Sequence, residues 1–197
     1  MMKKKTIFNI VSLSRKINAN ETLLLIISII LEITSSSFLY FAKKMCGGQC
    51  LLFAKLYERA RILRGSSPSW CYLPIVFNLA AITSSVFVLR SRKGRRSRSS
   101  GLRVLGLVSF SAFLVFLSSW IISSGFREFC RSFVINKCIH EHIDAMDWKN
   151  FSPKYSNGSS SYLLLLSTEA CGWSACVLLC VLWVAHALRL FTGWQAT

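Results

Sequence analysis

The stretch VLGLVSFSAFLVFLSSWIISS, residues 104–124, decides the fold of this chain because it contains no charged side chain. The hydrocarbon core of a bilayer is about 30 Å thick, and roughly 20 residues of α-helix cross it. Inside that core a helix also pairs the backbone polar groups that lipid cannot satisfy. The sequence therefore predicts a transmembrane helix at residues 104–124.

Three further segments share this apolar character and predict three more transmembrane helices. They span residues 22–42, 72–89 and 162–191. We expect the first to remain as an anchor, because its apolar run exceeds the core of a signal peptide and no small-residue cleavage site follows it. The predicted fold class is thus an all-α membrane protein, a four-helix transmembrane bundle.

The composition agrees with a membrane protein and argues against two other classes. A hydrophobic content of 53% and a mean hydropathy of +0.47 exceed what a water-soluble core needs. The net charge of +16 would suggest nucleic acid in a soluble protein, but short loops between spans cannot present a folded reading head. We therefore expect the lipid bilayer as partner, and no nucleic acid.

Charge density and cysteine placement together predict the orientation. Residues 90–103 are densely basic and lack acidic residues, as cytoplasmic loops do, whereas the loop cysteines fall in residues 43–71 and 125–161, as expected on an oxidising exoplasmic side. Residues 1–21 and 192–197 are then the cytoplasmic termini. The basic residues expected to contact anionic lipid headgroups at the cytoplasmic face are Arg90, Arg92, Lys93, Arg95, Arg96, Arg98 and Arg103.

A glycosylation sequon supports the same orientation. Asn157-Gly158-Ser159 lies in the second predicted exoplasmic loop, so we expect Asn157 to be modified. A second sequon at Asn20 lies on the cytoplasmic side and should stay unmodified. The chain is accordingly expected in the secretory pathway, in vesicle membranes or the plasma membrane.

Glu32, Asn78 and Glu169 are strongly polar residues that lie within the predicted spans, away from their cytoplasmic ends. A carboxylate within a bilayer is costly and seldom faces lipid, so we expect both acids to point into the bundle. One interpretation is a proton or cation pathway; the other is a hydrogen bond that fixes helix register. Arg189, late in the fourth span, is expected to extend to the interface. Candidate partners for the acids are Asn78, Ser118, Ser119 and Tyr72.

One cluster has the residue types of a metal site, but its spacing does not favour one. His140 and His142 are two residues apart, so they diverge on a helix, whereas a zinc-protease helix needs two histidines at i and i+4. A weak zinc or copper site would require a strand here. We predict solvated loop charge instead, with no metal, cofactor or catalytic residue. The cluster comprises Cys138, His140, Glu141, His142, Asp144 and Asp147.

An ordered set of residues resembles the transmembrane protein 179 family, including its 179B branch. GQCLLF at residues 48–53 looks like the family segment after the first span, and PSWCY at 68–72 resembles the segment that opens the second. FLVFL at 113–117 follows in the third span. Residues that then fall in matching order are Gly125, Phe126, Cys130, Cys138, Trp148, Tyr155, Glu169, Trp173 and Trp183.

The resemblance implies four spans with cytoplasmic termini and two disulfides that tie the exoplasmic loops. It pairs Cys50 with Cys71, and it supports a pair between Cys130 and Cys138, whose spacing allows a small ring. Cys46 is an additional loop cysteine, either free or paired with another molecule. The resemblance implies an architecture and no mechanism.

Apolar residues in the first exoplasmic loop recur at helical spacing. We predict a short amphipathic helix there, which either packs under the Cys50–Cys71 clamp or docks a partner's ectodomain. The stripe comprises Leu52, Phe53, Leu56, Tyr57, Ala60 and Leu63.

The sequence therefore favours a multi-pass membrane protein without enzyme activity, acting as a structural or interaction component through its exoplasmic loops. The alternative is a small ion or proton channel, or a transporter subunit, that uses Glu32 and Glu169.

Overall fold

Four long helices and one β-hairpin make up the computed structural model. The backbone is described for residues 2–57, 62–91, 98–135 and 161–194, and side chains for 21–55, 64–91, 101–132 and 162–191. In chain order the elements are α1 (Met2–Met45), β1 (Cys50–Tyr57), β2 (Ile62–Ser66), α2 (Ser69–Ser91), α3 (Arg98–Ile135) and α4 (Ser161–Trp194).

Each helix contains a segment that is long and apolar enough to cross a membrane. The prediction of a four-helix transmembrane bundle is confirmed, and α3 carries its apolar segment several residues past the predicted end at Ser124. Pro74 lies in the second turn of α2 without ending the helix. The four segments are Glu21–Met45, Ser69–Ser91, Gly101–Ser132 and Tyr162–Phe191.

The helices close into a bundle in which α1 and α3 each pack against both α2 and α4. The bundle buries small and polar side chains and exposes large apolar ones. Phe87, Phe113 and Val177 are 58–60% exposed, whereas Ser35 and Ser119 are fully buried. This distribution suits lipid, because membrane helices associate through close packing and interhelical hydrogen bonds and gain nothing by hiding apolar side chains from an apolar solvent.

The first loop forms a β-hairpin, so the predicted amphipathic helix over the stripe from Leu52 to Leu63 is wrong. β1 and β2 pair antiparallel, with an irregularity between Cys50 and Lys55. A short apolar run fits a helix and a strand equally well, and here residues 62–66 supply backbone partners that make the strand the better choice. Gly47 and Gly48, both at positive φ, turn the chain out of α1 before β1 begins.

The hairpin covers one end of the bundle, which we call the hairpin end. Leu51 and Leu52 are buried in an apolar cluster that receives residues from all four helices. A second cluster, around Leu25, Val108 and Leu179, fills the bundle farther from the hairpin. The β-hairpin is thus part of the folded core and not a free loop.

Candidate functional site

A disulfide fixes the base of the hairpin to the start of α2. Cys50 and Cys71 are joined, with Cα atoms 5.7 Å apart, and this is the pair that the resemblance implied. Both residues are buried, at 0% and 1% exposure. A crosslink of this kind restrains the unfolded loop, by roughly 2–4 kcal/mol in the chain-entropy account.

Close packing against α3 holds the hairpin from the other side. A Cβ at Gly125 would lie 2.8 Å from Leu52 Cβ and 2.9 Å from the Phe53 ring, so only glycine allows this approach. Phe53 itself adopts a φ of 59°, at the irregularity of β1. Its ring packs against Trp70 in a tilted arrangement, with centroids 4.8 Å apart. The hairpin is therefore held in place by close packing at Gly125 as well as by the disulfide.

Polar contacts complete this arrangement. Ser66 Oγ donates to the carbonyl of Leu52, and the Gly65 amide donates to Gln49 Oε1 at 3.1 Å. Lys43, at the end of α1, donates to the Tyr72 hydroxyl and lies 3.7 Å from the centre of that ring. Tyr72, one of the predicted partners of the acids, thus pairs with a lysine instead.

Glu32 lies at the centre of the bundle and is 1% exposed. Its Oε1 accepts a hydrogen bond from Ser28, one turn earlier on the same helix, at 2.9 Å. Within the described chain its Oε2 has no hydrogen-bond partner. Asn78 donates to Ser36 at 3.1 Å and Ser118 donates to the Pro74 carbonyl, so neither is the partner of Glu32 that the sequence suggested.

Glu169 belongs to a separate group at the hairpin end. Its Oε1 accepts a hydrogen bond from Ser123 Oγ at 2.5 Å, and the same hydroxyl accepts one from Trp173 Nε1 at 2.8 Å. These two hydrogen bonds join α3 to α4 and satisfy the indole N–H of Trp173. Glu32 and Glu169 consequently have different partners on different helices.

A cleft of about 420 Å³ opens beside this group, between α3 and α4. The wall of the cleft toward the middle of α3 is aromatic, and its rim toward the hairpin end is charged. Phe116 contacts both Trp120 and Trp173, with centroid distances of 5.9 and 6.0 Å. Residues that line the cleft are Phe116, Trp120, Ser123, Ser124, Arg127, Glu128, Arg131 and Trp173.

Comparison with family models identifies the chain. Residues 18–196 match the model of the Transmembrane protein 179/179B Claudin domain. The chain belongs to this family. Comparison with curated proteins and with solved structures gave no match. The resemblance read from the sequence is thereby confirmed, and the multi-pass architecture follows from it together with the four apolar helices.

In this member of the transmembrane protein 179/179B family, a buried ion pair joins α1 to α4 at the end opposite the hairpin. Arg189 Nη2 lies 2.5 Å from Glu21 Oε1, and His186 Nε2 lies 3.7 Å from the same oxygen. Glu21 is 2% exposed. Arg189, which we expected to extend to the interface, thus contacts Glu21, the residue just before the first predicted span. Opposite charges at the same predicted membrane depth were the signal that sequence reasoning missed.

Several predicted sites of this family member fall outside the described residues. Cys138, Asn157 and the His140 cluster lie in residues 136–160, and Arg92, Lys93, Arg95 and Arg96 lie in 92–97.

Cys46 and Cys130 are buried in the cluster under the hairpin. Arg90 and Arg103 are exposed at the ends of α2 and α3, and Arg98 begins α3. Among the described side chains, no three His, Cys, Asp or Glu residues form a group that could hold a metal.

Proposed function

We propose that this protein is a non-enzymatic interaction component of vesicle or plasma membranes, whose hairpin docks an acidic surface on the ectodomain of a partner protein. One observation carries the proposal: the hairpin is fixed to the bundle while Lys55 and Arg64, two of its basic residues, are exposed. The proposal includes the exoplasmic location of the hairpin end, for which the loop cysteines argue.

Rigidity supports a docking role. The Cys50–Cys71 disulfide holds the hairpin against α2, and the close approach of Leu52 to Gly125 holds it against α3. A surface that is ordered before binding loses less conformational entropy when a partner arrives. The hairpin is therefore built as a platform that binds without folding.

Charge and side-chain type indicate the chemistry of the partner. Residues 43–71 contain six basic residues and one acidic residue, and Lys44, Lys55 and Arg64 are exposed. Trp70 is 42% exposed and is held by its contact with the Phe53 ring. Tryptophan and arginine are enriched among the residues that dominate binding energy, and complementary charge sets specificity and association rate. An acidic protein surface matches this combination.

The alternative function, a small channel or transporter subunit, has weaker support. A conduction path would need Glu32 and Glu169 to act in sequence along the bundle. Glu32 instead bonds to Ser28 on its own helix, and Glu169 bonds to Ser123 at the hairpin end. We therefore favour the interaction role.

Site-specific photo-crosslinking from Ser67, an exposed residue beside the hairpin, tests the proposal in intact cells. We expect a discrete crosslinked partner whose attached peptide is rich in Asp and Glu. Charge reversal with Lys55→Glu and Arg64→Glu should lower the yield by about tenfold, since like charges then meet. Raising the salt concentration to about 1 M should also lower it.

The matched control is Lys55→Arg with Arg64→Lys, which keeps both charges and should keep the crosslink. Non-reducing peptide mass spectrometry would verify that Cys50–Cys71 is intact in every variant. A crosslink that survives charge reversal in a correctly bonded hairpin would contradict the proposed partner chemistry.

A further inference from the structure

The cleft between α3 and α4 changes from apolar to charged along its length. Phe116 and Trp120 lie toward the middle of α3, whereas Arg127, Glu128 and Arg131 lie toward its hairpin end. Trp120 is 59% exposed and both arginines are exposed. A molecule that fills this cleft must therefore be apolar at one end and carry charge at the other.

The depth of these residues matches the layers of a bilayer. The sequence places the end of the hydrocarbon crossing at Ser124, inside the longer apolar segment Gly101–Ser132 of α3. Arg127 and Arg131 follow Ser124 by about 4.5 and 10.5 Å at the helical rise of 1.5 Å per residue. The headgroup region adds roughly 5–8 Å on each side of the hydrocarbon core. Phe116 lies about 12 Å below Ser124 by the same rise. The arginines thus lie on the headgroup side of the predicted crossing, and the aromatic wall lies on its acyl-chain side.

The charged rim is suited to a phosphate ester. Arg127 and Arg131 are four residues apart on a helix, so they share one face. Neither guanidinium forms an ion pair with a carboxylate of this chain at any described position. Guanidinium groups bind phosphate through two parallel hydrogen bonds. Glu128 adds one negative charge to the same rim, which suits the ammonium of a zwitterionic headgroup.

The aromatic wall is fixed before any ligand binds. Trp173 donates its N–H to Ser123 at 2.8 Å, and Ser123 in turn donates to Glu169. Phe116 packs against Trp173 at a steep angle of 78° between ring planes. Trp173 and Phe116 are therefore held in place before a ligand arrives.

We infer that this cleft binds one membrane phospholipid, with an acyl chain along Phe116, Trp120 and Trp173 and its phosphate between Arg127 and Arg131. The site is independent of the docking role of the hairpin. It is also independent of which face of the membrane the hairpin end occupies, because both leaflets contain phospholipids.

Native mass spectrometry of the full chain released from detergent tests this site. The probes are phosphatidylcholine and a diacylglycerol with the same acyl chains, which lacks the phosphate. We expect one retained phosphatidylcholine per chain and about tenfold less retained diacylglycerol, because the charge-assisted hydrogen bonds to phosphate are lost. Arg127→Gln with Arg131→Gln should lower phosphatidylcholine retention to the diacylglycerol level.

Two matched controls separate this site from general effects. Lys55→Gln with Arg64→Gln removes the same charge from the hairpin, and Phe113→Ala removes an aromatic ring of similar exposure from α3 outside the cleft. Both should retain lipid as the unmodified chain does, whereas Trp120→Ala should not. A photoactivatable phosphatidylcholine should label residues 116–131 and the vicinity of Trp173.

Equal retention of the two lipids, or equal loss in the cleft variants and the controls, would overturn the inference. Labelling spread evenly over all four spans would do the same, since it would reveal an ordinary lipid annulus.

Discussion

At the scale of single residues, the bundle uses an ion pair to join its first and last helices. Arg189 contacts Glu21 at 2.5 Å, and the Glu21 side chain is only 3% exposed. Removing one partner of a buried pair is more damaging than removing both, because the remaining charge stays buried without compensation. Substituting only one of the two residues should therefore destabilise the bundle more than substituting both.

We predict that Glu21→Gln lowers the free energy of unfolding by about 2–3 kcal/mol. This is below the roughly 3–5 kcal/mol of a fully buried pair, since Arg189 keeps 27% of its side-chain exposure. The double variant Glu21→Gln with Arg189→Gln should recover a substantial part of the loss. Thermal unfolding in detergent measures both, with the exposed Arg90→Gln as control. A single variant as stable as the unmodified chain would show that the pair contributes nothing.

Sequence reasoning reached some of these residues and missed others for a physical reason. The inward position of Glu32 follows from the cost of placing a carboxylate in lipid, which any buried position avoids. Its bond to Ser28 depends on side-chain rotamers, and the Glu21–Arg189 pair depends on which helices become neighbours in the bundle. Neither is encoded in local spacing.

At the scale of elements, the hairpin is the part that hydropathy did not specify. Residues 50–57 satisfy helical spacing, but their strand conformation depends on pairing with residues 62–66 and on burial against α3. Both are tertiary contacts, and the spacing of apolar residues along the sequence does not reveal them. Gly125 is the helix residue that makes the burial possible.

Gly125→Ala should therefore destabilise the hairpin by about 1–3 kcal/mol, although alanine favours helices over glycine. The added Cβ would lie 2.8 Å from Leu52 Cβ, which has no flexible end to move away. Gly106→Ala on the same helix is the matched control, because its Cβ meets no atom within 4 Å and should leave stability unchanged or raise it. Protease sensitivity of the hairpin, compared between the two variants, reports the outcome. Equal protection in both would mean that α3 shifts to accept the side chain.

At the scale of the whole molecule, the four spans were predictable because a bilayer imposes length and apolar content on every crossing. The sequence also orders the chain so that the termini and residues 90–103 share one side, while the hairpin lies on the other. Each crossing moves the chain to the other side of the membrane, so the four crossings determine which segments share a side. Which side is cytoplasmic is inferred from the charge of the loops, the position of the loop cysteines and the Asn157 sequon.

We predict that the hairpin end is exoplasmic and both termini are cytoplasmic. A membrane-impermeant amine reagent applied to intact cells should label Lys44 and Lys55, which are exposed. Tags on either terminus should bind antibody only after permeabilisation, and glycosidase should shift a form carrying glycan at Asn157 that Asn157→Gln lacks. The opposite labelling pattern would place the hairpin in the cytosol and end the proposal of an ectodomain partner. It would leave the phospholipid site standing, because Arg127 and Arg131 would then reach the phosphates of the other leaflet.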